Sequence, residues 1–327
     1  MICQLFFVGI IIVIVVFRRN GQTERISIMA TALLFSGQGS QYQGMGEKIY
    51  NENPAAYEKI FEAGSDILGF DLKNTMFTAE MTELSRTAVS QPVIFTMSLL
   101  CAEKFKNENS GFDAVAGHSL GEYAALVVSG AVNLETGFEL IKNRAMCMEK
   151  AAVKNGGKMA AVMSADVALI ESVCEEITKG GDYVTPVNYN SKQQTVIAGS
   201  ENGIAKAAEK LTASGVKRVI PLAVAAAFHS EFMKEAAEEF KDLISGVEFR
   251  VPEKKFYSNV TGGLLTDFSG IHDILSRHIC SPVRFTSELA AMQADGIDNF
   301  VECGPGKTLV GLVKKTLDDV TASAMDA

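Results

Sequence analysis

The run Phe112-Asp113-Ala114-Val115-Ala116 reads as a strand and Glu122 to Val128 reads as a helix, with only Gly117-His118-Ser119-Leu120-Gly121 between them. A strand that enters a helix through so short a G-x-S-x-G turn holds its central residue at the top of a sheet, in a tight and strained backbone. Glycine on both sides fits, because the turn and the close approach of helix to strand leave little room for side chains. Ser119 is therefore a candidate nucleophile. A strand-turn-helix joint that happens to contain serine would look the same, so other residues must separate the two readings.

Strand and helix alternate on both sides of this turn, which predicts an α/β fold. Ala32 to Phe35 reads as a buried strand running into Ser36-Gly37-Gln38-Gly39-Ser40-Gln41, a connection suited to the carboxyl edge of a parallel sheet, where ligands bind. Asn74 to Ser90 reads as loop-rich, and Val93, Met97, Leu100 and Cys101 then form a helical stripe. A later helix places Phe138, Ile141, Ala145 and Met148 on one face, with Arg144 on its flank, where a buried stem would let the guanidinium reach a cleft. Between 156 and 222 the rhythm becomes β-α-β-β-α-β, the ferredoxin-like arrangement, and predicts an inserted subdomain. The surrounding domain is expected over 29–155 and 223–327, with a strand at Lys255–Ser258, a helix near Ile271–His278 and a strand at Asn299–Glu302 leading to Gly304-Pro305-Gly306.

A chain of 327 residues, 47% of them hydrophobic, can bury a full α/β core. A formal net charge of -9 with no long basic stripe argues against nucleic-acid binding, so an anionic partner would need a local basic patch. The six cysteines are scattered without a C-x-x-C pair, which predicts neither a metal site nor a disulfide framework and fits a reducing, cytoplasmic compartment. Leu5 to Phe17 is continuously apolar but short of the about 20 residues a spanning helix needs. It also lacks a preceding basic residue and a sensible cleavage site. Residues 1–28 are expected to be an extension outside the fold, with Met29 the natural start and no membrane contact.

A serine nucleophile needs a base, and histidine is the usual one. Of the four histidines, His118 lies inside the turn with its side chain expected to point away from Ser119. His272 and His278 fall in a polar helical segment and read as surface or structural residues. His229, in Ala225-Ala226-Ala227-Phe228-His229-Ser230, sits where small residues after a subdomain boundary would let a loop approach a cleft. It is the candidate base; the residues alone leave its partner open.

Taken together, Gly37-Gln38-Gly39-Ser40-Gln41, Gly117-His118-Ser119-Leu120-Gly121-Glu122, Arg144, Phe228-His229 and Gly304-Pro305-Gly306 stand in an order that closely resembles the malonyl-CoA:acyl carrier protein transacylases, from about Met29 to the end of the chain. The resemblance implies an α/β-hydrolase-like parallel-sheet domain with an inserted ferredoxin-like subdomain. It also implies that Ser119 accepts a malonyl group from malonyl-CoA and passes it to the phosphopantetheine thiol of acyl carrier protein, with His229 as base and no cofactor or metal. The backbone N–H groups of Gln38 and Leu120 would form an oxyanion hole, each donor contributing about 3 kcal/mol in the transition state. Arg144 would bind the malonyl carboxylate, Gln91 would line the acyl pocket, and Phe228 would limit room for an α-methyl branch.

Two departures from the family pattern stand out. Ser36 replaces a common proline, with an effect expected only on loop stiffness. His278 stands where a glutamine is often found, and is expected to give His229 its backbone carbonyl, making a Ser-His dyad. Lys192, Lys217 and Arg218 are candidates for docking an acidic carrier. The alternatives carried forward are a serine esterase or thioesterase and a catalytically silent carrier-docking protein. Whether fatty-acid or polyketide synthesis is served stays open.

Overall fold

The computed structural model describes residues 16–19, 22–25, 29–109, 111–224 and 226–326. Most of the apolar run Leu5–Phe17 lies outside the described residues; its last two belong to Val16–Arg19 (β1), which pairs antiparallel with Gln22–Arg25 (β2). Ala30–Phe35 (β3) follows and is buried from Thr31 onward. Past the GQGSQ loop come Glu47–Glu52 (α1), Pro54–Leu68 (α2), Leu72–Thr78 (α3) and Met81–Leu84 (α4), then Thr87–Glu108 (α5). Much of the expected loop at 74–90 is therefore helical. Its helices are one or two turns long, too short for periodicity to show, and α3 is started by Asp71, whose carboxylate accepts the Asn74 N–H at 2.9 Å. Helix α5 is buried on nearly all sides from Thr87 to Ala102, which is why its stripe reads weakly.

Ala114–Gly117 (β4), Gly121–Val128 (α6) and Leu134–Asn155 (α7) supply the elbow and the Arg144 helix. Next come Lys158–Val162 (β5), Val167–Lys179 (α8), Val184–Ser191 (β6), Gln194–Gly199 (β7), Glu201–Ala213 (α9) and Val219–Pro221 (β8). Lys234–Leu243 (α10), Lys255–Ser258 (β9), Gly263–Leu264 (β10), Ile271–Cys280 (α11) and Phe285–Ala294 (α12) lead to Ile297–Cys303 (β11), Thr308–Thr316 (α13) and Thr321–Ala324 (β12).

The main sheet has the order β10-β9-β4-β3-β11-β12 and is parallel except at β10. Its register brings three distant motifs together. Phe35 pairs with Gly117 on one side and Cys303 on the other, so the GQGSQ loop, the serine turn and the Gly304-Pro305-Gly306 loop all leave the sheet at one level. Helix α6 lies so close to this edge that a Cβ on Gly121 would sit 2.1 Å from Phe35 O, and one on Gly117 would sit 2.0 Å from the Gly121 carbonyl carbon. Phe35 O already accepts the His118 N–H at 2.9 Å, so relief of that clash would break the turn itself. Gly121→Ala is expected to lower stability by about 3 kcal/mol, read as a drop in the urea midpoint.

The second sheet is antiparallel, in the ferredoxin-like order β6-β7-β5-β8. Alternation along its strands divides its two faces. Ala160, Val162, Val184 and Ile197 pack under α8 and α9, whereas Met159, Ala161, Val187 and Val196 join the core that contains Leu33 and Phe35. The second face thus covers the carboxyl edge of the main sheet, with a backbone bridge at Val283 N–H to Val187 O (2.8 Å) and Tyr189 N–H to Val283 O (2.9 Å) fixing the junction.

Candidate active site

Between the two sheets lies a cavity of about 240 Å³. Its walls include Gln38, Met148, Met159, Asn188, Phe228 and, at its base, Ser119 and His229. Both of the last two adopt left-handed backbone, with φ of 55° and 60°. Such conformations are strained for residues other than glycine and concentrate where a side chain must be aimed.

Ser119 Oγ lies 2.7 Å from His229 Nε2. On the far side of the ring, Nδ1 is 2.9 Å from the His278 carbonyl oxygen. A carbonyl only accepts, so Nδ1 carries the proton and Nε2 offers its lone pair to the serine hydroxyl. The carbonyl in contact is the one that the family resemblance implies. Burial, and next the positive charge of Arg144, pull the His229 ring down to about 3, against the smaller opposing effect of the His278 carbonyl. The ring is therefore a neutral acceptor throughout the physiological range.

Arg144 reaches from α7 to Ser119 behind the cavity wall and is only 1% exposed. Its Nη1 donates to Gln91 Oε1 at 2.7 Å and its Nη2 to Ser119 Oγ at 3.0 Å, while its plane lies over the Tyr123 ring at 5.3 Å. Among the described residues it makes no salt bridge, and its Nε has no partner. An ordinary helix-surface ion pair would show the opposite on both counts. A buried guanidinium without a carboxylate is costly, and this one sits against the candidate nucleophile. Gln91 stands behind it, also donating to Met148 Sδ at 3.5 Å, and neither Gln91 nor Arg144 is part of the cavity wall itself.

Leu120 caps the start of α6 with its side chain buried, and Gln38 lies in the loop after β3. Neither backbone N–H has a hydrogen-bond acceptor among the described residues. Two free donors on adjoining loops at the sheet edge are what an oxyanion would need.

The domain model for an acyl transferase matches residues 32–326. A malonyl CoA-acyl carrier protein transacylase of Bacillus subtilis (strain 168) is 38% identical over 284 residues, covering 87% of this chain and 89% of the relative. The chain belongs to the malonyl-CoA:acyl carrier protein transacylase family. Among solved structures, the MCAT of Streptococcus pneumoniae superposes with a TM-score of 0.85 at 37% identity, covering 90% of this chain and 95% of that one. A malonyl-transacylase solved in complex with its type II PKS acyl-carrier protein gives 0.86 at 32% identity, with the same coverage.

Within this transacylase fold, several residues do more than their sequence context suggested. Ser36, expected to affect only loop stiffness, is fully buried and donates its hydroxyl to Glu302 Oε1 at 2.9 Å. Glu302 Oε2 in turn accepts the Val310 N–H of α13 at 2.9 Å, so the serine ties the GQGSQ loop to β11 and the helix after it. His118 makes no hydrogen bond to the nucleophile among the described residues; its Nε2 lies 2.8 Å from Asn190 Oδ1, and both residues belong to the cavity wall. His272 lies 2.9 Å from Val247 O, as a structural residue would. The His278 ring, read as surface or structural, is wholly buried behind the dyad. Asn259, Glu122 and Glu288 sit beside it; Glu122 ends the quoted motif but had no role assigned to it, and Asn259 and Glu288 went unnoticed. Asn259 is placed by register: β9 pairs with β4 through Val115 and Phe256, so a polar residue just past β9 lies level with the serine turn.

Proposed function

We propose that the protein transfers malonyl groups from malonyl-CoA to the phosphopantetheine thiol of an acyl carrier protein, through an ester on Ser119. The observation that carries this reading is the buried Arg144 guanidinium, without a carboxylate partner among the described residues, 3.0 Å from the nucleophile. A malonyl carboxylate supplies the missing charge and can take two parallel N–H donors. An acetyl group leaves that charge uncompensated.

Ser119 Oγ attacks the thioester carbonyl as its proton passes to His229 Nε2. The oxyanion that forms is held by the Gln38 and Leu120 N–H groups. Collapse of the tetrahedral species breaks the C–S bond, and the imidazolium returns its proton to the departing CoA sulfur. The carrier's thiol then enters, gives its proton to His229 and attacks the malonyl ester; collapse breaks the C–O bond and restores the Ser119 hydroxyl. Each half-reaction balances with no cofactor. Phe228 at the cavity wall restricts an α-methyl branch. Walls that admit a long thin thiol arm, with Arg144 pinning the acyl group, disfavour attack by water.

The carrier approaches as an acidic protein, and basic groups near the cleft would meet it. Lys192, Lys217 and Arg218 are exposed and form no salt bridge among the described residues. Val162 pairs with both Thr195 and Val219, so all three cations lie at one end of the second sheet. Replacing the three by alanine should slow transfer to the carrier about tenfold while leaving acylation by malonyl-CoA unchanged. Equal loss in both half-reactions would remove them from the docking surface. No helix among the described residues is long and apolar enough to cross a membrane, and a cytoplasmic site of action fits a reaction that consumes CoA esters.

The deciding experiment is intact-protein mass spectrometry after exposure to malonyl-, acetyl- and methylmalonyl-CoA. A stable malonyl adduct mapped to Ser119, discharged by holo carrier protein, is expected. Rapid release of free malonate would instead mark a hydrolase, and carrier binding without any adduct a silent docking protein.

A further inference from the structure

On the side of the dyad away from the cavity, Glu122, Asn259, His278 and Glu288 form a side-chain cluster with no solvent exposure. None of these side chains has a part in the acyl transfer above. Their hydrogen-bond directions follow from the backbone groups at the rim. Gly117 O can only accept, so the Asn259 Nδ2 that lies 2.6 Å away donates to it. Asn259 Oδ1 is then the acceptor, taking the Ser119 N–H at 2.7 Å and His278 Nε2–H at 2.9 Å. With Nε2 protonated, the ring turns Nδ1 toward Glu122 Oε2 at 3.1 Å, and neither atom has another partner among the described residues. One proton therefore lies between them. Burial pushes the Glu122 carboxyl up and holds the His278 ring down, which favours the uncharged pair. Glu122 Oε1 accepts the Asn259 N–H, and Glu288 Oε1 accepts from Asn259 Nδ2 at 2.6 Å, so the amide is held at every polar atom.

We propose that Glu122, Asn259 and His278 are positioning residues that lock the two halves of the catalytic dyad to each other, an inference that rests on the acyl-transfer reading of Ser119 and His229. Asn259 grips the backbone of the strained serine and, through the same oxygen, the ring of His278. His278 is in the last turn of α11, where carbonyls have no partner further along the helix. Its carbonyl is free to accept from His229, and its direction is set by whatever anchors its side chain. Glu122, Asn259 and the His278 ring provide that anchor. The elbow and the carbonyl behind the base come from separate segments, and this cluster is where those two are joined by side chains, so that His229, bonded to Ser119 Oγ on one side and to the His278 carbonyl on the other, is held between them.

The test is single-turnover malonylation of Ser119 in the full-length protein, read by intact mass and expressed per acylatable serine, for His278→Ala and His278→Gln. Both variants keep the backbone carbonyl. The alanine variant loses the ring that Asn259 and Glu122 hold, whereas glutamine can again donate to Asn259 Oδ1. A 1 Å misplacement of reacting groups costs about 100-fold, so His278→Ala should lower the maximal acylation rate about that much with the half-saturating malonyl-CoA concentration unchanged. His278→Gln should restore most of the rate. An alanine variant that acylates at the wild-type rate, a loss that glutamine does not recover, or a loss confined to half-saturation would overturn the proposal. If that alanine variant does not fold, the pair Glu122→Ala and Glu122→Gln provides the same reading. Alanine removes the partner of His278 Nδ1 and should lower the maximal rate about 100-fold, whereas glutamine can still donate to Nδ1 and should retain most of it. An alanine variant at the wild-type rate, or a loss that glutamine does not recover, would overturn the proposal. Failure of wild type itself to form the Ser119 adduct would sink the acyl-transfer reading, a result distinct from all of these.

Discussion

Protein carrying Ser119→Ala should take up no malonyl group, and its overall transfer rate should fall about 10⁶-fold, the scale at which nucleophile and base act as a unit. His229→Ala should fall nearly as far. The 2.7 Å contact from Ser119 Oγ to His229 Nε2 is the route by which the hydroxyl loses its proton, and Arg144 Nη2, the other group bonded to Oγ, can only donate. For the same reason the double variant should be no slower than either single one. The measurement is steady-state transfer to holo carrier protein, with intact mass reporting the adduct. A His229→Ala enzyme within about tenfold of wild type would mean that another group takes the proton, because a general base alone contributes about 10²- to 10⁴-fold.

That dyad was partly legible in the sequence, for identifiable reasons. The elbow declares itself locally, since a strand, a five-residue G-x-S-x-G turn and a helix are adjacent in the chain and both glycines are required by contacts of 2.0 and 2.1 Å. Strands β3 to β9 and the β-α-β-β-α-β unit were likewise recoverable, because their signals span a few residues each. His229 was visible as a candidate only, its left-handed φ of 60° carrying no local signature apart from histidine's tolerance of that region. The partner carbonyl at His278 came from family resemblance, since a backbone oxygen leaves no trace in residue identity.

What stayed hidden depends on register and burial. The helices at Leu72–Thr78 and Met81–Leu84 are shorter than the window that reveals periodicity. Edge strand β12, Thr321-Ala322-Ser323-Ala324, is small and polar enough to read as tail, and it is a strand because β11 offers it a free parallel edge. Glu122, Asn259, Glu288 and His278 are polar residues that sequence statistics assign to the surface. Their burial is offset by the hydrogen bonds that Glu122, His278 and Glu288 each make to Asn259. The polar centre of a folded site is thus the part least visible in advance, and here it sits directly behind the nucleophile.

Arg144→Ala should reverse the substrate preference. Two charge-assisted hydrogen bonds to the malonyl carboxylate, each worth about 2 kcal/mol, correspond to a loss of about 10³-fold in kcat/KM for malonyl-CoA. Acetyl-CoA should gain, because the variant no longer buries a positive charge opposite a methyl group. The same substitution has a second, independent signature in pH. His229 must be neutral to accept the serine proton, and its folded-state pKa is lowered to about 3, first by burial and then by Arg144. A base with a lowered pKa stays neutral as pH falls, so kcat/KM for wild type should show no acid limb near 6.5, the ordinary histidine value. Removing the neighbouring cation lets the ring pKa rise, so the limb of Arg144→Ala should move up in pH. A bound malonyl carboxylate offsets the same cation in wild type, which places the limb of kcat above that of kcat/KM. The substrate's carboxylate then strengthens the base as well as filling the pocket, giving malonyl-CoA an advantage in kcat that affinity alone would not produce. Acylation profiles from about pH 2.5 to 8, which span the folded-state value of about 3 and the ordinary histidine value, test this for malonyl- and acetyl-CoA. Identical limbs in wild type and Arg144→Ala would show that the guanidinium selects the substrate without tuning the base.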